Sequence, residues 1–150
     1  MRILSALLIS SFLLASCGDS STASTEEVKK EVKKEALDPM QDKGVGPISS
    51  VSISATIDVH LKDSGKILYD NKCTACHKID KRKIGPAMAG VTKRRTPEWI
   101  MNMILNPDQM VKENAQARQL LMEYSAPMAN QSLNEEEARA ILEYFRSIDS

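Results

Sequence analysis

Apolar residues are spaced differently in successive parts of the chain, and the spacing limits what each part can form. From Ile3 to Leu14 they run almost unbroken, interrupted by Ser5, Ser10 and Ser11 behind a single Arg2. Such a run is too short to span a bilayer as a stable helix and has the layout of a secretory signal. Gly18 to Thr25 is small and polar, and residues 26–35 are mostly Glu and Lys. Pairs such as Glu26 and Lys30 support a short charged helix. Its stripe of Val28, Val32 and Ala36 is too thin to hold a fold. Residues 17–50 therefore read as a tether, with a reach of roughly 30 Å for about 30 flexible residues. From Val51 to Val59 the pattern alternates, with Val51, Ile53, Ala55, Ile57 and Val59 on one side. Alternation predicts an extended segment. Without a partner strand it would lie along the domain or pair locally.

From residue 60 onward the period becomes helical. A first helix is expected from His60 or Asp63 to Lys72, with Leu61, Gly65, Leu68 and Tyr69 on one face. A glycine inside a helix costs up to about 1 kcal/mol against Ala, so Gly65 points to close approach of another helix. Gly85-Pro86 marks a loop. Thr96 caps a second helix with Pro97 in its first turn, and Trp99, Ile100, Met103 and Ile104 form its apolar face. Asn106-Pro107 ends it. A third helix is expected from Pro107 to about Tyr124, and residues 125–132 form a loop. The last helix has Asn134 as its cap and Glu137 three residues on, a capping box, with Ala138, Ile141, Leu142, Phe145 and Ile148 as one stripe. The elements predict one all-α domain over residues 51–150.

Charge and cysteine usage refine this picture. Twenty Lys and Arg balance twenty Asp and Glu, so no global field argues for nucleic acid. The distribution is uneven. Lys72, Lys78, Lys81, Arg82, Lys83, Lys93, Arg94 and Arg95 crowd one stretch with Asp80 as its only acid. A charge run is usually a solvated face; here it brackets the best chemical motif, which suits docking of a partner. The chain has three cysteines. Cys17 follows Leu14-Ala15-Ser16 and resembles the bacterial lipobox, in which the Cys is lipidated and becomes the mature N-terminus. On this reading residues 1–16 are a lipoprotein signal peptide. More than one acyl chain on Cys17 anchors the protein durably to a membrane, on the periplasmic or outer side.

Cys73-Thr74-Ala75-Cys76-His77 reads as a c-type haem attachment site. Two thiols about one helical turn apart can each add to a vinyl group of one porphyrin. His77 is then the proximal nitrogen ligand to the iron. The competing readings are a redox pair and half a zinc site. A redox pair is expected after a strand of a βαβ unit, and zinc needs about four ligands, toward which only His60 could add. With Cys17 lipidated, no thiol remains for a disulfide.

Eight methionines compete for the opposite face of the iron. Met88 is close in sequence to His77. Met101, Met103, Met110 and Met122 fall in expected helices, where Met is more often core filler. Met128 lies in a loop beside Pro127, ahead of the last helix.

Gly65-x-x-x-Tyr69-x-x-x-Cys73-x-x-Cys76-His77, Gly85-Pro86, Trp99-Ile100 before Asn106-Pro107, and Met128 before a capped helix carrying Tyr144-Phe145 together resemble class I cytochrome c. The resemblance covers about residues 60–149. It implies three to five helices wrapped around one covalent haem c, with the first and last helices crossing and Gly65 meeting Tyr144 and Phe145. It further implies Met128 as second axial ligand, the Pro86 carbonyl accepting from the His77 ring, and Trp99 near the haem propionates. The family usually has Pro after the ligand Met; Ala129 stands there in this chain. Residues 84–110 and 124–149 are also similar to small cytochromes that accompany bacterial nitrous oxide reductase. The implied role is a membrane-tethered one-electron carrier, not an enzyme, working between respiratory components outside the cytoplasm. A gas-sensing module or a peroxidase-type enzyme would require an open or labile sixth position.

Overall fold

The computed structural model describes residues 37–150. The signal-like run, Cys17 and the tether up to residue 36 lie outside the described residues. Among those described, five α-helices and one short 3-10 turn account for the regular structure: α1 Val59–Lys72, the turn Val91–Lys93, α2 Pro97–Leu105, α3 Pro107–Glu113, α4 Ala115–Tyr124 and α5 Glu135–Asp149. The domain is all-α, as expected.

Four of the five helices begin where a side chain satisfies free N–H groups, and α3 begins instead with Pro107, which has no N–H to satisfy. The Asp58 carboxylate accepts from the N–H groups of His60 and Leu61 at 2.9 and 3.0 Å, so α1 starts at Val59. The Thr96 hydroxyl accepts from Trp99 N–H at 3.1 Å, with Pro97 in the first turn of α2. The capping box of α5 is present, with Asn134 Oδ1 accepting from Glu137 N–H and Glu137 Oε2 from Asn134 N–H, both at 2.9 Å.

The one long helix expected from Pro107 to Tyr124 is two. Asn114 adopts an extended backbone, φ −101 and ψ 125, and separates α3 from α4. Its side chain is the reason. Oδ1 accepts from Ala117 N–H at 2.9 Å and from Trp99 Nε1 at 3.3 Å, while Nδ2 donates to both carboxylate oxygens of Asp42 at 2.9 and 2.8 Å. These bonds replace one turn of helix ladder with a buried polar junction.

Helices α1 and α5 cross face to face. Gly65 meets the α5 backbone at Ala140 and Ile141, not the expected Tyr144 and Phe145: an added Cβ would fall well inside contact distance of the Ala140 carbonyl, so the bare α-carbon sets how closely the backbones approach. Tyr69 stacks beside this crossing, its ring 5.5 Å from Tyr144 and 5.7 Å, edge-on, from Phe145. Burial pushes the Tyr69 hydroxyl up to about 12. Ile100, Ile104, Ile141, Leu142 and Phe145 continue the core across α2 and α5.

Packing starts ahead of the boundary expected at residue 51. Residues 37–50 form a strap over α2, α3 and α4. Asn102, 1% exposed on α2, donates to the carbonyls of Lys43 and Ile48 at 3.0 and 2.9 Å and accepts from Ile48 N–H at 3.0 Å. Thr96 donates its hydroxyl to the Asp42 carbonyl, Gln116 Nε2 donates to the Leu37 carbonyl at 2.7 Å, and Ile48 enters the core. With one large apolar anchor and many hydrogen bonds, the strap has the composition of a tether. Residues 51–58 form no strand, and the segment bends at Ala55-Thr56 instead of running straight as the alternation predicted. Only Val51 and Ile57 of the alternating set are half-buried. Glu143, fully buried on α5, holds this segment. It accepts from Asp58 N–H at 2.9 Å and pairs with Arg139 and Arg146, and Arg146 Nη2 reaches the Ser54 carbonyl at 2.6 Å.

The last residues of α5 grip the loop that follows the Cys pair. Asp149 accepts from the N–H and hydroxyl of Thr92 at 2.9 and 2.7 Å and from Gly90 N–H. Burial alone would raise the Asp149 carboxyl, but these bonds outweigh it and hold it below the usual carboxylate range. At Glu143, too, burial is outweighed, there by Arg139, Asp58 N–H and Arg146.

Two outcomes follow from this packing. Gly65→Ala should cost about 3 kcal/mol, because backbone stands on both sides of the added methyl; thermal unfolding of the haem-loaded variant measures it. The second concerns acid. Groups whose folded pKa is depressed stabilise the fold above their unfolded value of about 4, and that stability is lost as pH falls through the folded value. Asp149→Asn should therefore be about 2 kcal/mol less stable at neutral pH and lose less than wild type between about pH 5 and pH 3. Parallel pH–stability curves would contradict this.

Candidate functional site: an apolar cavity bearing the Cys pair

The end of α1 feeds directly into the CxxCH turn. Cys73 N–H donates to the Tyr69 carbonyl at 2.9 Å, and the Cys73 carbonyl then accepts from Cys76 and His77 N–H at 3.1 and 2.9 Å. That single tight turn brings Cys73, Cys76 and His77 to one wall of a cavity of about 250 Å³. The chain after His77 folds back over the turn. The Cys76 carbonyl accepts from Ile84 and Gly85 N–H at 3.1 and 2.9 Å, and Lys83 Nζ donates to the Thr74 carbonyl at 2.8 Å.

His77 Nδ1 stands 2.9 Å from the Pro86 carbonyl, as the family resemblance implied. Donating there fixes the tautomer and leaves Nε2 as the free ring nitrogen. Gly85 permits the contact, since a Cβ on it would meet His77 Cε1 at 2.5 Å. Cys73 is half-buried and Cys76 exposed. Burial, with Cys76 beside it, pushes the Cys73 thiol up to about 11. A redox pair needs the opposite shift, toward thiolate. Among the described residues no group of three or more His, Cys, Asp or Glu is arranged to hold a metal ion, so the zinc reading finds no ligand set.

The rest of the cavity wall is mainly apolar: Ile100, Met103 and Ile104 from α2, Leu120, Leu121 and Tyr124 from α4, and Ile141 and Phe145 from α5. The charged residues on the lining are all basic, Lys72, Arg94 and Arg95. A flat apolar ring carrying two carboxylates, attached through thiols and bound by one imidazole, fits this donor set.

The methionines separate by position. Met122 is 66% exposed and does not reach the cavity. Met110 is fully buried in a satellite cluster with Trp99 and Ala117, its sulfur accepting from Val45 N–H at 3.0 Å. Met101 belongs to the main core. Met88, Met103 and Met128 line the cavity. Met88 N–H bonds the Lys78 carbonyl at 3.0 Å, which ties Met88 to the strand of chain that holds His77. Met128 lines it from the loop between α4 and α5.

Trp99 lines the cavity, but its N–H is directed to Asn114. Arg95 covers its ring, with the guanidinium carbon 4.8 Å from the centroid. Burial pulls the Arg95 pKa down, and Asp42 opposes that. Arg94 donates to the carbonyls of Ala87 and Ala89 at 3.0 and 2.7 Å. Sequence reading grouped both arginines with a docking surface; they also form part of the cavity wall. Asp42 and Asn114 were not singled out at all. The asparagine inside an uninterrupted helical pattern was the available signal.

The family model for cytochrome c matches residues 63–149. No protein with a curated description matches the chain. Among solved structures, the chain is similar to cytochrome c from Rhodothermus marinus, with 48% identity, a TM-score of 0.67, and coverage of 69% of this chain and 89% of that one. An engineered form of that protein, Rma TDE, gives 47% identity and a TM-score of 0.67, covering 69% and 90%. The same engineered protein bound to a carbene intermediate gives 48% and 0.65, covering 69% and 89%. The family binds haem c covalently, and Cys73 and Cys76 are positioned for that attachment. The chain belongs to the cytochrome c family, as a class I mono-haem member.

Proposed function

We propose that this protein is a one-electron carrier whose haem iron is held between His77 and Met128. The observation that carries the reading is the pair of side chains lining one apolar cavity from two different loops, with His77 already oriented by Pro86. When bound, the haem supplies the one-electron chemistry. The chain contributes the rest. His77 offers a fixed nitrogen, Met128 a thioether that favours the reduced iron relative to a second His, and the apolar wall excludes water. Held by His77 and Met128 together, the iron would offer no position to a substrate.

The carrier works outside the cytoplasm, tethered through lipid on Cys17, and exchanges electrons with respiratory proteins. The signal-like run before Cys17 supports export and lipidation. The similarity of residues 84–110 and 124–149 to cytochromes that accompany nitrous oxide reductase supports a terminal reductase of denitrification as acceptor. Partners dock at the basic stretch that brackets the Cys pair in sequence, where Lys78, Lys81 and Lys93 are exposed.

Met128→Ala should abolish the weak far-red Met–iron band of the oxidised protein and lower its potential, while Met88→Ala and Met122→Ala keep the band. Retention in Met128→Ala would move the ligand to another methionine. Cys17→Ser should yield a soluble, haem-loaded protein on fractionation; variant protein still sedimenting with membranes would point to a different attachment.

A further inference from the structure

The two sides of the cavity are held very unequally. Behind His77 the chain is laced by backbone bonds, Ile84 and Gly85 to Cys76, Met88 to Lys78 and Ala89 to Ile79. The Met128 side has no such lacing. Among the described residues no backbone–backbone hydrogen bond involves residues 126–133, and Ser125 before this loop and Ser132 within it stand at φ 52 and 54, both in the left-handed region. Met128 and Leu133 pack on the core, but the loop's hydrogen bond to another element is a long one, Asn130 Nδ2 to the Leu105 carbonyl at 3.4 Å.

One side chain joins the two sides. Arg82, in the tightly held loop behind His77, lays its guanidinium 4.3 Å over the Tyr124 ring and donates to the Glu123 carbonyl at 3.3 Å. Tyr124 is the last residue of α4, lines the cavity, and stands four residues before Met128. We propose that Arg82 is a positioning residue for the Met128 loop: by bridging the loop behind His77 to the last turn of α4, it resists displacement of Met128 from the iron. The proposal rests on the reading of Met128 as the axial ligand. An exposed guanidinium on an aromatic face shifts such an equilibrium modestly, about 2- to 5-fold.

Imidazole, which competes for the iron, is the probe. Ferric, haem-loaded protein is titrated with it and followed by the visible spectrum. Arg82→Gln should bind imidazole about 2- to 5-fold more tightly than wild type while keeping the far-red band without imidazole. Lys81→Gln removes the same charge one residue away and should match wild type, since Lys81 makes no hydrogen bond or ion pair among the described residues. Equal affinity of Arg82→Gln and wild type overturns the proposal. So does an equal gain in both variants, which would make the effect one of charge alone. If wild type lacks the far-red band, or Met128→Ala binds imidazole no more tightly than wild type, the ligand reading itself fails and the proposal falls with it.

Discussion

The crossing of α1 on α5 at Gly65 is the constraint on which the rest of the domain depends. Close approach of the two backbones there brings Tyr69 against Tyr144 and Phe145. Phe145 and Ile141 of α5 are also cavity wall, and the end of α1 delivers Cys73 and Cys76 to that same cavity. A displacement of one helix by the width of a methyl group would therefore shift one wall against the attachment points on the other. Packed interiors do not absorb such a change smoothly. The C-terminus of α5 extends the same control to the loop behind His77, because Asp149 holds Gly90 and Thr92. One helix thus positions both the back of the cavity and the loop that follows His77.

What the residues disclosed in advance was local chemistry. Caps at Thr96 and Asn134, the CxxCH turn, the Gly65 approach and the Pro86 partner of His77 each depend on residues close in sequence or on one recognised pattern. What stayed hidden depends on partners far along the chain. Asn114 breaks a helix whose apolar period continues through it, because its bonds to Trp99 and Asp42 span 15 and 72 residues. Residues 37–50 carry one large buried aliphatic side chain, Ile48, so their hydropathy resembles that of a linker. Their hold comes from Asn102, Thr96 and Gln116. The alternation of residues 51–59 was real but had no sheet to serve. Arg146 and Glu143 satisfy the backbone that a neighbouring strand would have satisfied.

Buried polar groups do much of the shaping around the cavity, and they form a connected set. Asp42 accepts from Asn114, Asn114 accepts from Trp99, and Trp99 lies under Arg95 at the cavity wall. Removing Asp42 or Asn114 would leave a buried donor without its partner, at a cost of about 1–3 kcal/mol. The strap is therefore part of the wall in an energetic sense, although only Trp99 and Arg95 face the cavity.

The basic run also divides by position, which changes what it can do for a carrier. Arg94 and Arg95 are committed to carbonyls and to the Trp99 ring, and Arg82 to Tyr124. Arginine suits these sites because its planar group can stack and donate several bonds at fixed angles. The exposed charges of the run without such commitments among the described residues, Lys72, Lys78, Lys81 and Lys93, are all lysines. A lysine ammonium is strongly hydrated and mobile, and exposed pairs made with it contribute little stability. For a protein that must meet a partner, pass one electron and leave, that is an advantage. Long-range attraction speeds encounter, while the weak individual pairs leave dissociation fast.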